Sequence, residues 1–250
     1  MEEIMRPLGV TQQEAIETWL TTLKNRFRPH YTLENISGGH DEPHVGRMET
    51  LYDEINPLLG NVVDRSEFVA AGWLHNVDRS RSLHEEVEKV GLEQYCRGIL
   101  KTSPFSSESQ NRIAVAVREH INKPAAASDG PLTLALKTAD AIDRFNAVGV
   151  LSIAAHRGSK LPIYDLEKPF GFTGVEEQDL KTLYHDFMRV TSWYSHLFSD
   201  EARELANKYG FRTFIGFIRW LATDIARFTN QPNTVEQDLA VALGPYYSSF

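Results

Sequence analysis

Cysteine and long hydrophobic runs are nearly absent from this 250-residue sequence, which contains the single cysteine Cys96. One cysteine cannot form an internal disulfide, so a disulfide-stapled fold is excluded and a reducing compartment is favoured. No motif surrounds Cys96, so we expect it to lie in a helix without a chemical role. No run approaches the ~18 apolar residues of a membrane span, and the N-terminus MEEIMRPLGV lacks a signal-peptide core. We therefore expect a cytoplasmic protein with no membrane partner.

Basic residues are also fewer than acidic residues. The chain has 26 Lys and Arg residues against 34 Asp and Glu, which gives a formal net charge of −8. An acidic surface repels phosphate backbones, so we expect no nucleic-acid partner. A small phosphorylated molecule in a local positive pocket remains compatible with this charge. The hydrophobic fraction of 42% and the charged fraction of 24% are those of a folded globular chain.

The spacing of apolar residues is helical throughout. In the first segment it places four side chains on one face, ahead of a proline that ends the helix: Ile16, Leu20, Leu23, Phe27 and then Pro29. No segment shows the sustained alternation of a β-strand. The sequence therefore predicts an all-α protein, a single helical bundle.

Similar patterns predict seven further helices. In chain order they are a second helix ended by Gly60, a third capped by Asp64 or Ser66, a fourth from a Ser82–Glu85 capping box to Leu100, a fifth from Ser107 or Ser109 to His120, a sixth from Pro131 to His156, and two covering Glu176–Phe198 and Asp200–Phe228.

The segment 158–174 is rich in Gly, Pro and aromatic residues, so we interpret it as a loop or lid. We expect a helix within residues 1–30 that packs on the body, one helical domain over 31–228, and a C-terminal tail over 229–250. Four apolar side chains of that tail could dock on the body: Leu239, Val241, Tyr246 and Phe250.

Histidines and acids cluster in four segments near predicted helix ends. The segments are GHDEPHVGRM from Gly39, LHNVDR from Leu74, REH from Arg118 and KTADAIDR from Lys137. Any one of these residues has an ordinary structural explanation, such as a hydrogen-bonded core histidine. Several on the inward faces of separate helices are costly unless they are paired or bound to a cation. Imidazole and carboxylate together suit a divalent first-row metal with open coordination positions.

In this order the segments resemble the HD-domain superfamily of metal-dependent phosphohydrolases. The superfamily pattern is a first His, a His-Asp pair, often further His residues and a distant Asp. The matching residues here are His44, His75-Asn76, His120 and Asp140. The opening stretch H-D-x-x-H-x-x-R, from His40 to Arg47, is a specific part of this match. Two further stretches resemble a subgroup of small bacterial HD proteins: A-D-x-x-D-R-x-x-A-x-G from Ala139 to Gly149, and Tyr184 to Phe187 followed by Glu201 to Arg203. The resemblance covers roughly residues 30–225.

The resemblance implies that His44, His75 and Asp140 hold a divalent metal ion, with Asn76 as a weak fourth ligand. Mn, Mg, Fe, Ni and Co all remain possible. It also implies that His120 holds a second metal or donates a proton to the leaving oxygen.

Asn76 departs from the superfamily pattern, which carries aspartate at this position. An amide oxygen can ligate a cation, but it brings no negative charge, bridges two metals poorly and cannot act as a base. Either Asp78 partly compensates as a catalytic carboxylate, or the site is degenerate. Asp143 is the alternative to Asp140 as the distal ligand.

Arg79 and Arg144 are candidates for binding the substrate phosphate, because a guanidinium matches its oxygens bidentately. The alternative is that these arginines pair with the neighbouring Asp78 and Asp143.

Three functional hypotheses follow. The first is a metal-dependent phosphohydrolase acting on a small phosphate ester such as a nucleotide. The second is a degenerate HD-type protein that binds a ligand or partner, and the third is an HD-type diiron oxygenase. Aromatic stripes in the last helices indicate core packing, or a homodimer interface if they prove exposed together.

Overall fold

The computed structural model describes residues 11–32, 34–36, 39–126, 128–158, 160–174 and 180–250. Within these ranges it contains twelve α-helices and no strand, which confirms the all-α prediction. The helices are α1 Gln12–Phe27, α2 Glu42–Leu58, α3 Arg65–Leu74, α4 His84–Val90, α5 Leu92–Leu100, α6 Ser107–Glu119, α7 Pro131–Arg144, α8 Ala147–Arg157, α9 Leu183–Ser192, α10 Asp200–Lys208, α11 Phe211–Thr229 and α12 Val235–Leu243.

Local signals define the first helix. Glu14 N–H donates to Thr11 Oγ1 at 3.2 Å and Thr11 N–H donates to Glu14 Oε2 at 2.8 Å, which completes a capping box. The α-helix ends at Phe27, two residues before Pro29, as predicted. Its buried residues, Leu23 and Phe27, belong to the predicted apolar face.

Three segments that were each predicted as one helix form two helices in the structure, so the predicted extents are wrong. The sixth breaks before Asn146, whose side-chain oxygen accepts a hydrogen bond from Gly149 N–H at 3.0 Å and caps α8. The fourth breaks at Gly91, where φ is +82°, and the last breaks at Gly210, where φ is +114°. A positive φ is accessible to glycine but strained for other residues, so both glycines stop a helix whose apolar period continues beyond them.

The N-cap predicted for the fourth helix is also wrong. Helix α4 has no side-chain cap, because the Ser82 hydroxyl lies 2.7 Å from His30 Nδ1 instead. Helix α6 starts at Ser107, one of its two predicted starts, and is capped by Ser106, whose side-chain oxygen accepts a hydrogen bond from Ser109 N–H at 3.1 Å.

The helix predicted from Glu176 begins later. Residues 175–179 lie outside the described residues, and α9 starts at Leu183, capped by Thr182.

Helix α7 lies at the centre of the bundle, packed against α2, α3, α6 and α8. Most of its residues are buried, including the charged Asp140, Asp143 and Arg144. The C-terminal ends of α3 and α6 and the start of α2 therefore reach the polar stretch of α7. In the described part of the chain, none of the helices is both long and apolar enough to cross a membrane.

The region expected as a tail contains α12, which packs on α9. Leu239 is buried, whereas Val241 is 54% exposed. Tyr246 and Phe250 pack at the edge of the core.

Asp238 of α12 ties down the loop that precedes α9. Its carboxylate accepts hydrogen bonds from Gly171 N–H at 3.1 Å, Phe172 N–H at 2.8 Å and Tyr184 O–H at 2.8 Å. The described residues 160–174 form neither helix nor strand, in agreement with the loop prediction.

The aromatic residues of the last helices are mostly core. Tyr184, Phe187, Phe211 and Phe214 are at most 2% exposed, whereas Trp220 is 62% exposed.

Candidate metal centre

Three side chains from three helical segments converge at the centre of the bundle. One ligand atom each from His44, His75 and Asp140 lies within 4.8 Å of the other two, and all three residues are buried. His44 Nε2 lies 3.2 Å from His75 Nε2 and 3.4 Å from Asp140 Oδ1. These three are the residues that the resemblance assigns to the metal.

Helix ends set the orientation of two histidines. His75 directly follows α3 and His120 directly follows α6. Each donates its Nδ1–H to the carbonyl oxygen three residues earlier, Gly72 O at 2.7 Å and Val117 O at 2.5 Å. The last carbonyls of a helix lack intrahelical donors, so they are available for this bond. Each Nε2 is left as an acceptor.

Asp143 supports the site from behind. His44 Nδ1–H donates to Asp143 Oδ2 at 2.7 Å, and Arg47 donates to both carboxylate oxygens at 2.6 and 3.0 Å. Burial raises the pKa of Asp143, but the hydrogen bonds from His44 and Arg47 outweigh it and bring the pKa to about 2. Both oxygens of Asp143 are therefore engaged, and Asp140, not Asp143, belongs to the converging group.

The site is set up for ligation. Burial lowers the pKa of His44 and, strongly, that of His75, so both imidazoles are neutral at pH 7. Burial raises the pKa of Asp140, yet Lys123 and Arg144 outweigh it and hold the pKa well below its usual range. Neutral imidazole and ionised carboxylate are the protonation states that bind metal.

The geometry also fits a metal ion. Because both Nδ1 atoms donate elsewhere, the Nε2 atoms of His44 and His75 carry no proton, and they lie only 3.2 Å apart. Two acceptor nitrogens this close repel each other, and a cation bound by both would remove that repulsion. Metal–nitrogen bonds of about 2.0–2.1 Å place tetrahedral ligands roughly 3.3 Å apart, which matches two of the three separations, 3.2 Å between the two histidines and 3.4 Å between His44 and Asp140.

Asn76 is buried beside this group. Its amide nitrogen Nδ2 lies 2.7 Å from His75 Nε2 and donates to it. In this orientation the amide competes with a cation for the His75 lone pair. Rotating the amide by half a turn would present Oδ1, so Asn76 can ligate only after that rotation.

His120 lies next to the group, with its ring centroid 5.1 Å from that of His75. Burial, with a contribution from Lys123, lowers the pKa of His120 to about 4. At neutral pH its Nε2 therefore carries a lone pair and no proton. This geometry suits a ligand or a base, and it argues against the expected role as proton donor to the leaving oxygen.

A cavity of about 100 Å³ opens beside Asp140 and His120. Its lining is rich in cationic and imidazole side chains, which come from the segment before α2, from the segments after α3 and α6, and from α7, α8 and α9: Arg79, Lys123, Arg144, Arg157, Arg189, His40, His120 and His156. Asp140 and Asp186 are the acids among its lining residues. A chain with a net charge of −8 thus concentrates positive charge here.

The two predicted phosphate-binding arginines both line this cavity. Arg144 Nη2 lies 3.8 Å from Asp140 Oδ1 and 3.3 Å from His40 Nδ1, whereas Asp143 pairs with Arg47. Arg144 therefore contacts Asp140 and His40, and not Asp143 as the alternative interpretation expected.

Asp78 does not join the site, although the neighbouring Arg79 does. Arg79 Nε lies 3.6 Å from Asp78 Oδ2, so their predicted pairing is present. Asp78 is absent from both the converging group and the cavity lining. Both residues lie in a tight turn of 3₁₀ type, in which successive side chains point about 120° apart.

Two glycines allow the backbone to approach Arg144. A Cβ on Gly149 would lie 2.1 Å from the Arg144 carbonyl oxygen, and one on Gly39 would lie 2.6 Å from Arg144 Nη1. Gly39 also has a φ of +86°. Gly149 ends the A-D-x-x-D-R-x-x-A-x-G stretch and Gly39 opens the GHDEPHVGRM segment, and close packing on Arg144 explains both glycines.

The sequence interpretation missed several cavity residues. Lys123 lies three residues beyond His120, and Arg157 and Arg189 lie on α8 and α9. The position of Lys123 just after a candidate histidine was an available signal. No local pattern in the sequence indicates the positions on α8 and α9, which come together only through helix packing.

Comparisons with known proteins identify the fold. No protein-family model and no curated protein matches the chain. A Lactobacillus plantarum structure matches with a TM-score of 0.67 and 17% identity over 84% of this chain and 98% of that one. An HD-superfamily hydrolase from Bacillus thuringiensis matches with a TM-score of 0.52 and 16% identity over 88% and 100% of the two chains. Bacillus subtilis YpgQ in complex with ADP matches with a TM-score of 0.54 and 20% identity over 84% and 97%.

The chain therefore shares its fold with an HD-superfamily hydrolase. At these identities the likeness describes architecture and assigns no activity. Independently of that likeness, the buried His-His-Asp group of this chain could hold a metal ion.

Proposed function

We propose that this protein is a metal-dependent hydrolase of the HD type whose substrate carries a phosphate group. One observation carries the proposal: the buried group His44, His75 and Asp140 adjoins a cavity lined by five Lys and Arg side chains. Anions are drawn to such a local concentration of cationic side chains even when the whole chain is acidic.

His44, His75 and Asp140 would hold the metal, and Asn76 would add its oxygen after rotating its amide. A divalent ion bound there would lower the pKa of a bound water and polarise a phosphoryl oxygen. The identity of the ion stays open among Mn, Mg, Fe, Ni and Co, because imidazole and carboxylate ligands suit several of them.

The protein's own groups would bind and orient the substrate. Arg144 and Arg79 line the cavity and can each offer a guanidinium to phosphate oxygens. His120 presents an unprotonated Nε2 at neutral pH, so it would accept a proton from the attacking water or hold a second ion. Asp143 would keep the His44 ring in the ligating tautomer.

A metal-dependent screen of phosphate esters tests this proposal. Nucleotides belong in the screen because YpgQ, which shares the fold, was solved with ADP. We expect hydrolysis that needs an added divalent ion and that His75→Ala abolishes. His84→Ala is the matched control, since His84 lies on α4 with a side chain that is 56% exposed. Hydrolysis that survives both chelator and His75→Ala would contradict the proposal.

A second candidate is a ligand-binding protein without catalysis, and the Asn76 contact favours it. Asn76 donates its amide to His75 Nε2 and brings no charge to the ion. Asn76→Asp distinguishes the two candidates. A large gain in metal affinity together with new activity would indicate a degenerate site, whereas loss of an existing activity would indicate that the amide is used as it stands.

A further inference from the structure

Lys123 occupies an unusual position for a site that is to hold a cation. Its ammonium forms a short ion pair with Asp140 Oδ2, and its side chain is only 13% exposed. Its Nζ also lies 4.8 Å from the centre of the Trp193 ring. The cation is thus enclosed between the one carboxylate of the His-His-Asp group and an aromatic face.

The charges around the ligand atoms do not favour a divalent ion. His44, His75 and Asn76 are neutral ligands, so Asp140 supplies the only negative charge of the proposed set. Lys123 contacts one oxygen of that carboxylate, and Arg144 lies 3.8 Å from the other. Two fixed positive charges therefore repel an ion at this position.

Lys123 also belongs to the wall of the cationic cavity. A lysine side chain has a flexible four-carbon stem, so its ammonium can move from Asp140 to an anion in the cavity without backbone movement. An anion there would satisfy the ammonium and free the carboxylate.

We propose that Lys123 is an internal cation that competes with the metal for Asp140, and that a phosphate in the cavity relieves this competition. The inference rests on the proposed metal site and goes beyond it, since it makes metal affinity conditional on the substrate's anionic group. Reciprocity of linked equilibria then requires that bound metal also tightens phosphate binding.

The test is manganese affinity of the full chain by calorimetry, with and without inorganic phosphate. We expect Lys123→Met to bind manganese about tenfold or more tightly than the unmodified chain when phosphate is absent, within the usual range of coupling between sites. We expect added phosphate to narrow this gap, because it tightens manganese binding more in the unmodified chain than in the variant.

Two further variants make the result specific. Lys123→Gln also removes the charge but keeps a hydrogen-bond donor for Asp140, so it should show the same gap even if the methionine variant folds poorly. Lys137→Met is the matched control. Lys137 is another buried lysine paired with an aspartate, 2.8 Å from Asp129, and its partner is outside the proposed ligand set. It should leave manganese affinity unchanged.

Equal manganese affinities in the unmodified chain and both Lys123 variants would overturn the inference and leave the proposed function standing. The inference would also be overturned if added phosphate did not reduce the difference in manganese affinity between the unmodified chain and the Lys123 variants. If neither the unmodified chain nor any variant binds manganese, iron or magnesium, with or without phosphate, the inference and the proposed metal site both fail.

Discussion

Buried neutral histidine makes the metal-free protein sensitive to mild acid, and His120 allows the effect to be measured. Burial lowers its pKa from the ordinary 6.5 to about 4. The unfolded chain therefore takes up a proton at higher pH than the folded chain does. The stability that comes from keeping His120 neutral is fully present above pH 6.5 and is lost as the pH falls toward 4.

The magnitude follows from the two pKa values. Each unit of difference is worth about 1.36 kcal/mol, so His120 costs the folded state about 3 kcal/mol between pH 7.5 and pH 4. A loss of that size is a large part of the ~5–15 kcal/mol that stabilises a typical domain. The half-buried His156 adds to it, since partial burial also lowers the pKa of His156 to about 3.

Urea unfolding of chelator-treated protein between pH 7.5 and pH 4 is the assay. His120→Gln removes the titrating group, so its free energy of unfolding should fall by about 3 kcal/mol less than that of the unmodified chain. His84→Gln is the control, because it removes an imidazole that is 56% exposed, and its pH profile should follow that of the unmodified chain.

Only the difference in slope is diagnostic, because replacing His120 also changes local packing and shifts the whole curve. Parallel profiles for His120→Gln and the unmodified chain would refute the reasoning. They would mean that His120 is not held neutral by the fold, and its assignment as an unprotonated ligand or base would fail with it.

Three further predictions concern groups around the site. Asp143→Asn should weaken metal binding about 10–100-fold in a manganese titration, because it removes the acceptor that orients His44; unchanged affinity would contradict this. Asp238→Asn should cost about 1–3 kcal/mol in urea unfolding, since buried donors lose a charged acceptor; a cost near zero would contradict it. Gly149→Ala should destabilise by about 1–3 kcal/mol or more by displacing Arg144, measured in the same way, and a neutral result would show that the backbone adjusts freely.

The sequence predicted the helical class because apolar spacing repeats along the whole chain, and it failed at boundaries that depend on one residue. Asn146, Gly91 and Gly210 each end a helix within a continuous apolar period. An isolated glycine or asparagine inside such a period is compatible with an unbroken helix, so the pattern alone could not place these breaks. The backbone angles at these residues decide the matter.

The candidate site shows the same division. His44, His75 and Asp140 could be predicted because their spacing resembles a known pattern, and the structure brings them together. Lys123 was missed although it lies three residues beyond the candidate His120, and Arg189 was missed because its place beside the cavity depends on how α9 packs. Charge near a site is a property of three-dimensional proximity, which a linear pattern does not contain.

The most direct test of the central claim is metal content after equilibrium dialysis against manganese, measured by elemental analysis beside a His75→Ala control. The metal site proposed here predicts stoichiometric manganese in the unmodified chain and its loss in the control, with both proteins folded by circular dichroism. Protein that retains no manganese, iron or magnesium after dialysis against each, in the presence and absence of phosphate, would contradict the metal site and the hydrolase built on it.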